Sequence, residues 1–135
     1  MVITSVLYIT LSCSLHKELI SNKGVGDFEL GKQLIQNYNK KNIDIITDKN
    51  NIIQLIKVTS DNYSTKEGFT VGTSLNKIEL AYKESTRKSL VATKGNLLIG
   101  NTGEALLYGN ISFGDNDGNS KTDIIWVQQF VLKKH

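Results

Sequence analysis

Apolar positions recur along this chain in two rhythms, and the two rhythms follow each other twice. Phe28-Glu29-Leu30-Gly31-Lys32-Gln33-Leu34 and Phe69-Thr70-Val71-Gly72-Thr73-Ser74-Leu75 both read Phe-x-(Leu/Val)-Gly-x-x-Leu, 41 residues apart. Downstream of the first, Leu34, Ile35 and Tyr38 fall at i, i+1 and i+4. Downstream of the second, Leu75, Ile78 and Tyr82 fall at i, i+3 and i+7, with Ala81 beside them. Each spacing predicts a short helix with one apolar face. Thr73 and Ser74 are suitable N-cap residues for the second helix.

The period then shortens to two. Ile43-Asp44-Ile45 alternates like a strand, Asp48–Asn51 is a turn cluster, and Ile52–Val58 reads as the return strand of a hairpin. In the second half, Ser89–Thr93, Leu97–Ile99, Glu104–Tyr108, Ile111–Phe113 and Ile124–Leu132 are predicted strands, separated by Gly-Asn turns. Ile124, Trp126, Phe130 and Leu132 share one face of the last, interrupted by Gln128. Ile43-x-Ile45, Asp48-x-Asn-Asn and Ile52-Ile53 also parallel Ile111-x-Phe113, Asp115-x-Asp-Gly-Asn and Ile124-Ile125. The expected fold is therefore α+β. Two unequal tandem helix–β-hairpin units, 27–63 and 68–135, build one domain over 27–135, with short helices packed on antiparallel sheet.

The first 26 residues break this frame. Val2–Leu15 carries no charge and is rich in apolar residues, too short for a spanning helix of about 20 residues. It fits the apolar core of a secretory signal. Leu11-Ser12-Cys13-Ser14 resembles the lipobox of bacterial lipoproteins, which implies a signal peptide over 1–12, lipid attachment at Cys13, and a solvated tether over 13–26. Thr10 stands where that motif usually has Leu, and no Lys or Arg precedes the apolar run. The competing expectation is a soluble cytosolic domain in which Val2–Leu11 is a strand and Cys13 a small buried hydrophobe.

Composition narrows the chemistry. Of 135 residues 39% are hydrophobic and 21% charged, which suits a globular domain with its own core. A net charge of +3 spread over scattered lysines forms no basic stripe, so no nucleic-acid partner is expected. With one cysteine the chain has neither an internal disulfide nor a cysteine-based zinc cluster. Its two histidines, His16 and His135, lie near the two ends of the sequence, poor places for a positioned base. Glu79 with Glu84, or Asp115 with Asp117, are carboxylate pairs that exposed charge explains as well. Gly100–Gly103 lacks the Lys-Ser/Thr of a phosphate-binding loop. No catalytic residue and no cofactor are expected.

The acidic stretch Asp115-Asn-Asp117-Gly-Asn119-Ser-Lys-Thr-Asp123 places oxygen side chains at alternate positions, like the start of a calcium loop. A Glu would be needed at its twelfth position, where Trp126 stands, and Ser120 takes the place of Gly. A polar hairpin turn is the better reading, with Asp115, Asp117, Asn119 and Asp123 kept as a weak calcium or small-ligand candidate.

The segment Val58-Thr-Ser-x-x-Tyr63-x-Thr65-Lys-Glu-Gly68-x-x-Val71-Gly72-x-x-Leu75-x-x-Ile78, followed by Tyr82, resembles one found in envelope lipoproteins of the Bacteroidetes type. Tyr108-Gly-Asn-Ile111-Ser-Phe113-Gly-Asp115 matches a second part of that pattern, with Asn110 where Gly is usual. More distantly, the Gly–helix–sheet unit is similar to the outer-membrane assembly lipoprotein BamE (SmpA) and to the β-lactamase-inhibitor protein. The resemblance covers about residues 52–131 and implies a fold and an address: an outer-membrane lipoprotein facing the periplasm or the cell surface. It carries no catalytic residues. The implied role is non-enzymatic, with membrane contact through the lipid and a protein partner or assembly function.

Overall fold

The computed structural model describes residues 17–35, 38, 42–89 and 103–129. In chain order its elements are β1 (Glu18–Ser21), β2 (Gly24–Val25), β3 (Phe28–Glu29), β4 (Ile43–Thr47), β5 (Ile53–Val58), β6 (Tyr63–Ser64), α1 (Leu75–Ala81), β7 (Thr86–Ser89), β8 (Glu104–Tyr108), β9 (Ile111–Asp115) and β10 (Ile124–Gln128). The larger sheet is antiparallel throughout, in the order β4-β5-β10-β9-β8-β7. Its strands form where β-branched and aromatic residues concentrate, and the central β10 is apolar on both faces at Ile124–Val127. Strand register then lines up two apolar rows on one face. Ile43, Val58, Ile125, Phe113 and Leu106 make the first, and Ile45, Ile56, Val127, Ile111 and Tyr108 the second. Val58, Ile56, Ile125, Val127, Phe113 and Leu106 are all fully buried. Burying each such side chain stabilises the fold by about 1.5–3 kcal/mol before entropy is counted.

Two things cover that face. One is the helix α1, through Leu75 and Ile78, with Phe69 and Tyr82 at its flanks. The other is a small sheet, β3-β2-β1-β6, in which β1 pairs antiparallel with β2 and parallel with β6. Ile20, Val25 and Tyr63 from that sheet enter the same core. The opposite face of the large sheet holds a second, smaller cluster of Leu55, Ile124 and Trp126. The Trp126 indole lies across Gly114, where an added Cβ would come within 2.4 Å of the ring.

The α+β expectation is overturned. The chain is mostly β, with one short helix among the described residues and two sheets, and it is not built of two helix–hairpin units. The helix expected after Gly31 is absent from residues 31–35, which run as a turn and an isolated bridge between Gln33 and Ile52. Leu34 donates its N–H to Asn51 O, as Leu75 does to Ser120 O in the second copy, but only the second leucine opens a helix. Leu34 packs on the core while Ile35 is 80% exposed, and residues 36, 37 and 39–41 of the expected helix lie outside the described residues. The tether expected over 13–26 is structured from Glu18 on: β1 and β2 lie in it, and Ile20 and Val25 are buried. Of the predicted strands, Leu97–Ile99 lies outside the described residues, as do the ends of Ser89–Thr93 and Ile124–Leu132.

The feature that repeats is a hydrogen-bonded clamp and a hairpin. In the first copy Gly31 N donates to Ile53 O, Ile53 N to Lys32 O, and Leu34 N to Asn51 O. In the second Gly72 N donates to Thr122 O, Thr122 N to Thr73 O, and Leu75 N to Ser120 O. The bridges Gln33–Ile52 and Ser74–Lys121 correspond, and Asn51 and Ser120 are both left-handed, at φ 65° and 66°. The hairpins β4–β5 and β9–β10 meet antiparallel along β5 and β10, with Lys57 opposite Trp126 and the pairs Val58–Ile125 and Ile56–Val127 on either side. That register is self-consistent with a local twofold axis through the Lys57–Trp126 pair.

Gly31 and Gly72 occupy the same backbone state, φ 81° and 102°, with open space around the position of a Cβ. Their requirement is conformational rather than steric. Gly72→Ala should therefore lower stability by about 1–2 kcal/mol, the cost of a left-handed L-residue, and Gly72→Val by more. Urea unfolding measures this. A Gly72→Val chain that unfolds at the parent midpoint would contradict the assignment.

Candidate functional site

Residues 115–123 form the turn between β9 and β10. Asp115 is buried and accepts three backbone N–H groups: Gly118 (2.9 Å) and Asp117 (3.2 Å) at Oδ1, and Ser120 (2.7 Å) at Oδ2. Asn116 N donates to Asp123 Oδ2, Asn119 N to Asp117 Oδ1, and Lys121 N to Asn119 Oδ1. Every N–H from 116 to 121 thus ends on a side-chain oxygen of the same loop. Asp48 does the same on a smaller scale, taking the N–H groups of Asn50 and Ile52. The sequence predicts both turns from their Asp and Asn content, and the structure gives the mechanism.

Of the four calcium candidates, Asp115, Asp117 and Asp123 converge, with carboxylate oxygens within 4.8 Å of one another. Asn119 does not join them as a free oxygen, because its side chain is bonded to Lys121 N. Backbone donors occupy both Asp115 oxygens, Asp117 Oδ1 and Asp123 Oδ2, which leaves Asp117 Oδ2 and Asp123 Oδ1, far fewer oxygens than the six to eight that calcium takes. Millimolar calcium is accordingly expected to leave the melting temperature unchanged; a rise of several degrees would make the loop a metal site.

Burial alone would raise the pKa of Asp115. The Ser120, Gly118 and Asp117 N–H groups outweigh it and leave the value lowered. A carboxyl with a lowered folded-state pKa contributes stability above its unfolded value of about 3.9 and loses it as pH falls through the folded value. Melting temperature should therefore drop in that acid window, and Asp115→Asn should remove part of the drop. At neutral pH Asp115→Asn should cost about 2–3 kcal/mol, because buried N–H groups lose a charged acceptor. Thermal melts across pH on both proteins check this.

A second feature lies where the small sheet meets the large one. A cleft of about 240 Å3 is lined by Leu19, Ile20, Ser21 and Asn22 of β1 and its turn, by Thr65, Lys66 and Glu67 after β6, and by Tyr82, Tyr108 and Ile111. Tyr82 and Tyr108 stack at 4.0 Å between centroids and 7° between planes, and Phe69 meets Tyr82 edge-on at 5.2 Å. The Tyr82 hydroxyl donates to the Glu67 carboxylate. Burial first, and this bond second, push the Tyr82 hydroxyl up to about 12. Burial opposes the lowering at Glu67, but the Tyr82 hydrogen bond and nearby Lys66 leave its pKa below the usual range, so it is ionised at neutral pH.

The cleft walls are braced. Asn110 N donates to Asn22 Oδ1 at 2.8 Å and Asn110 Nδ2 to Asn22 O at 3.0 Å, joining the β1–β2 and β8–β9 turns. Gly109 makes this approach possible, since a Cβ there would sit 2.4 Å from Asn22 Oδ1. Arg87 ties the helix down, bidentate on Glu79 at 3.1 Å with further bonds to Asn76 and Glu104. Glu79 therefore belongs to this brace rather than to a carboxylate pair with Glu84.

The sequence does not single out Leu19, Lys66, Glu67 or Tyr108 as a site. The available signal is the Tyr63-x-Thr65-Lys-Glu-Gly68 to Tyr82 stretch, whose tyrosines read first as core. Cys13, His16, His135 and Gly100–Thr102 lie outside the described residues. No helix among the described residues is long and apolar enough to cross a membrane. Comparison with protein families, curated proteins and solved structures gives no match.

Proposed function

We propose that this chain is a non-enzymatic, lipid-anchored binding module of a bacterial cell envelope, attached through Cys13 and binding in the cleft between its two sheets. The observation that carries the reading is the position of β1. It starts at Glu18, and Leu19 to Asn22 line the cleft. The six residues from Cys13 to Leu19 span at most about 20 Å. Lipidation at Cys13 would therefore hold the cleft close to the bilayer rather than at the end of a long tether. One diacylglycerol and an N-acyl chain anchor stably under the two-chain rule.

Within the cleft, the titratable pair Tyr82–Glu67 is hydrogen-bonded to itself, and the phenol is held further from ionisation than a free one. It favours binding over proton transfer near neutral pH. Leu19, 51% exposed at the cleft mouth, adds apolar surface that a ligand or partner would cover.

Expression in a lipoprotein-processing bacterium, followed by mass spectrometry of the membrane fraction, tests the anchor. Acylated Cys13 at a new N-terminus is the expected product, and Cys13→Ser should shift the protein out of that fraction. Recovery of the chain with Met1 intact and Cys13 unmodified would end the lipid-anchor and envelope part of the proposal.

A further inference from the structure

The rim of the cleft carries one charge of each sign. Lys66 is exposed and makes no ion pair among the described residues. Glu67 beside it accepts the Tyr82 hydroxyl at Oε1, and its side chain is exposed to solvent at the rim. Beneath them lies an apolar wall of the stacked Tyr82 and Tyr108 rings, with Ile111 and Leu19. Unmatched charge of either sign would favour a simple cation or anion, and an uncharged rim a hydrocarbon. A paired rim over an aromatic floor fits a molecule bearing an ammonium, a carboxylate and an apolar group. The volume of about 240 Å3 suits one side chain of phenylalanine or leucine size with its backbone groups.

We infer that the cleft binds a zwitterionic apolar α-amino acid, free or as the single residue of a small metabolite. Lys66 receives the carboxylate, Glu67 receives the ammonium, and the Tyr82–Tyr108 stack receives the side chain. Charge-assisted hydrogen bonds at the rim set which end of the ligand goes where. The aromatic stack contributes apolar contact without selecting orientation. The inference rests on the cleft-binding reading and deepens it, but it does not rest on the lipid: Cys13→Ser removes the anchor and leaves every cleft residue in place. Saturable binding alongside an unmodified Cys13 would keep the cleft and discard the envelope address.

The test is calorimetric titration of the full chain carrying Cys13→Ser with L-phenylalanine, L-phenylalaninamide and N-acetyl-L-phenylalanine. Phenylalanine should bind saturably, and each blocked compound about tenfold more weakly, as expected for one lost charge-assisted contact. Lys66→Met should abolish discrimination against the amide while keeping that against the N-acetyl compound. Glu67→Gln should do the reverse. Both side chains are exposed, and parent-like melting is the control; should a variant misfold, the three-compound comparison on the parent decides. No saturable heat at millimolar phenylalanine, equal affinity for all three, or well-folded variants with unchanged selectivity would overturn the inference. So would a preference for glycerophosphoethanolamine over phenylalanine, which would assign the rim to a lipid headgroup.

Discussion

The carboxylate of Asp115, buried beneath the turn it organises, holds three backbone N–H groups in place. Much of the second half of the fold depends on that arrangement. The turn presents Ser120 O and Thr122 O to Leu75 N and Gly72 N, and Thr122 returns its N–H and hydroxyl to Thr73 O. Helix α1 starts at that junction. Its N-cap residue Ser74 makes no side-chain capping bond, so the carbonyl of Ser120 satisfies the first helical N–H instead. A helix of seven residues is too short to be stable alone. It exists because the loop caps it, Leu75 and Ile78 bury completely, and Arg87 binds it to the sheet.

The same clamp operates around Gly31, Lys32, Leu34, Asn51 and Ile53, but it leads to no helix within residues 31–35. The two halves diverge immediately after the clamp. Leu34 and Ile35 are not helical, whereas the equivalent Leu75 and Asn76 open α1, although in both copies the leucine packs inward and the next residue is exposed. One device thus supports two outcomes, set by the next few residues and by the surface opposite them. The small sheet covers another part of that core through Ile20, Val25 and Tyr63.

The cleft is a by-product of the same layering. The small sheet meets the large one beside the β8–β9 turn, where Asn22 and Asn110 lock the two together. The stacked Tyr82 and Tyr108 fill the junction without closing it. Lys66 and Glu67 reach its rim because Thr65 turns the chain there: its hydroxyl accepts Phe69 N, and its backbone exchanges bonds with Phe69 and Gly68. A structural turn therefore also supplies the charges we assign to ligand recognition.

The local pieces of the fold were legible in the chain alone. Apolar runs located β4, β5, β8, β9 and β10; Asp and Asn marked both turns; and Gly31 and Gly72 marked places where the chain turns, though the 41-residue repeat pointed to two helix–hairpin units and the clamp it marks shows only in the hydrogen bonding. These features depend on period, turn chemistry and φ, which are readable a few residues at a time. Long-range pairing set the remainder. Apolar positions after both Gly31 and Gly72 fit a helix, yet among the described residues only the second set is helical, although both clamps carry the same hydrogen bonds. Residues 18–25 are polar enough to pass for a tether, yet strand pairing buries Ile20 and Val25. Leu19, Lys66 and Tyr108 are distant in sequence, and nothing in their spacing could bring them to one cleft, because only the meeting of the two sheets does so.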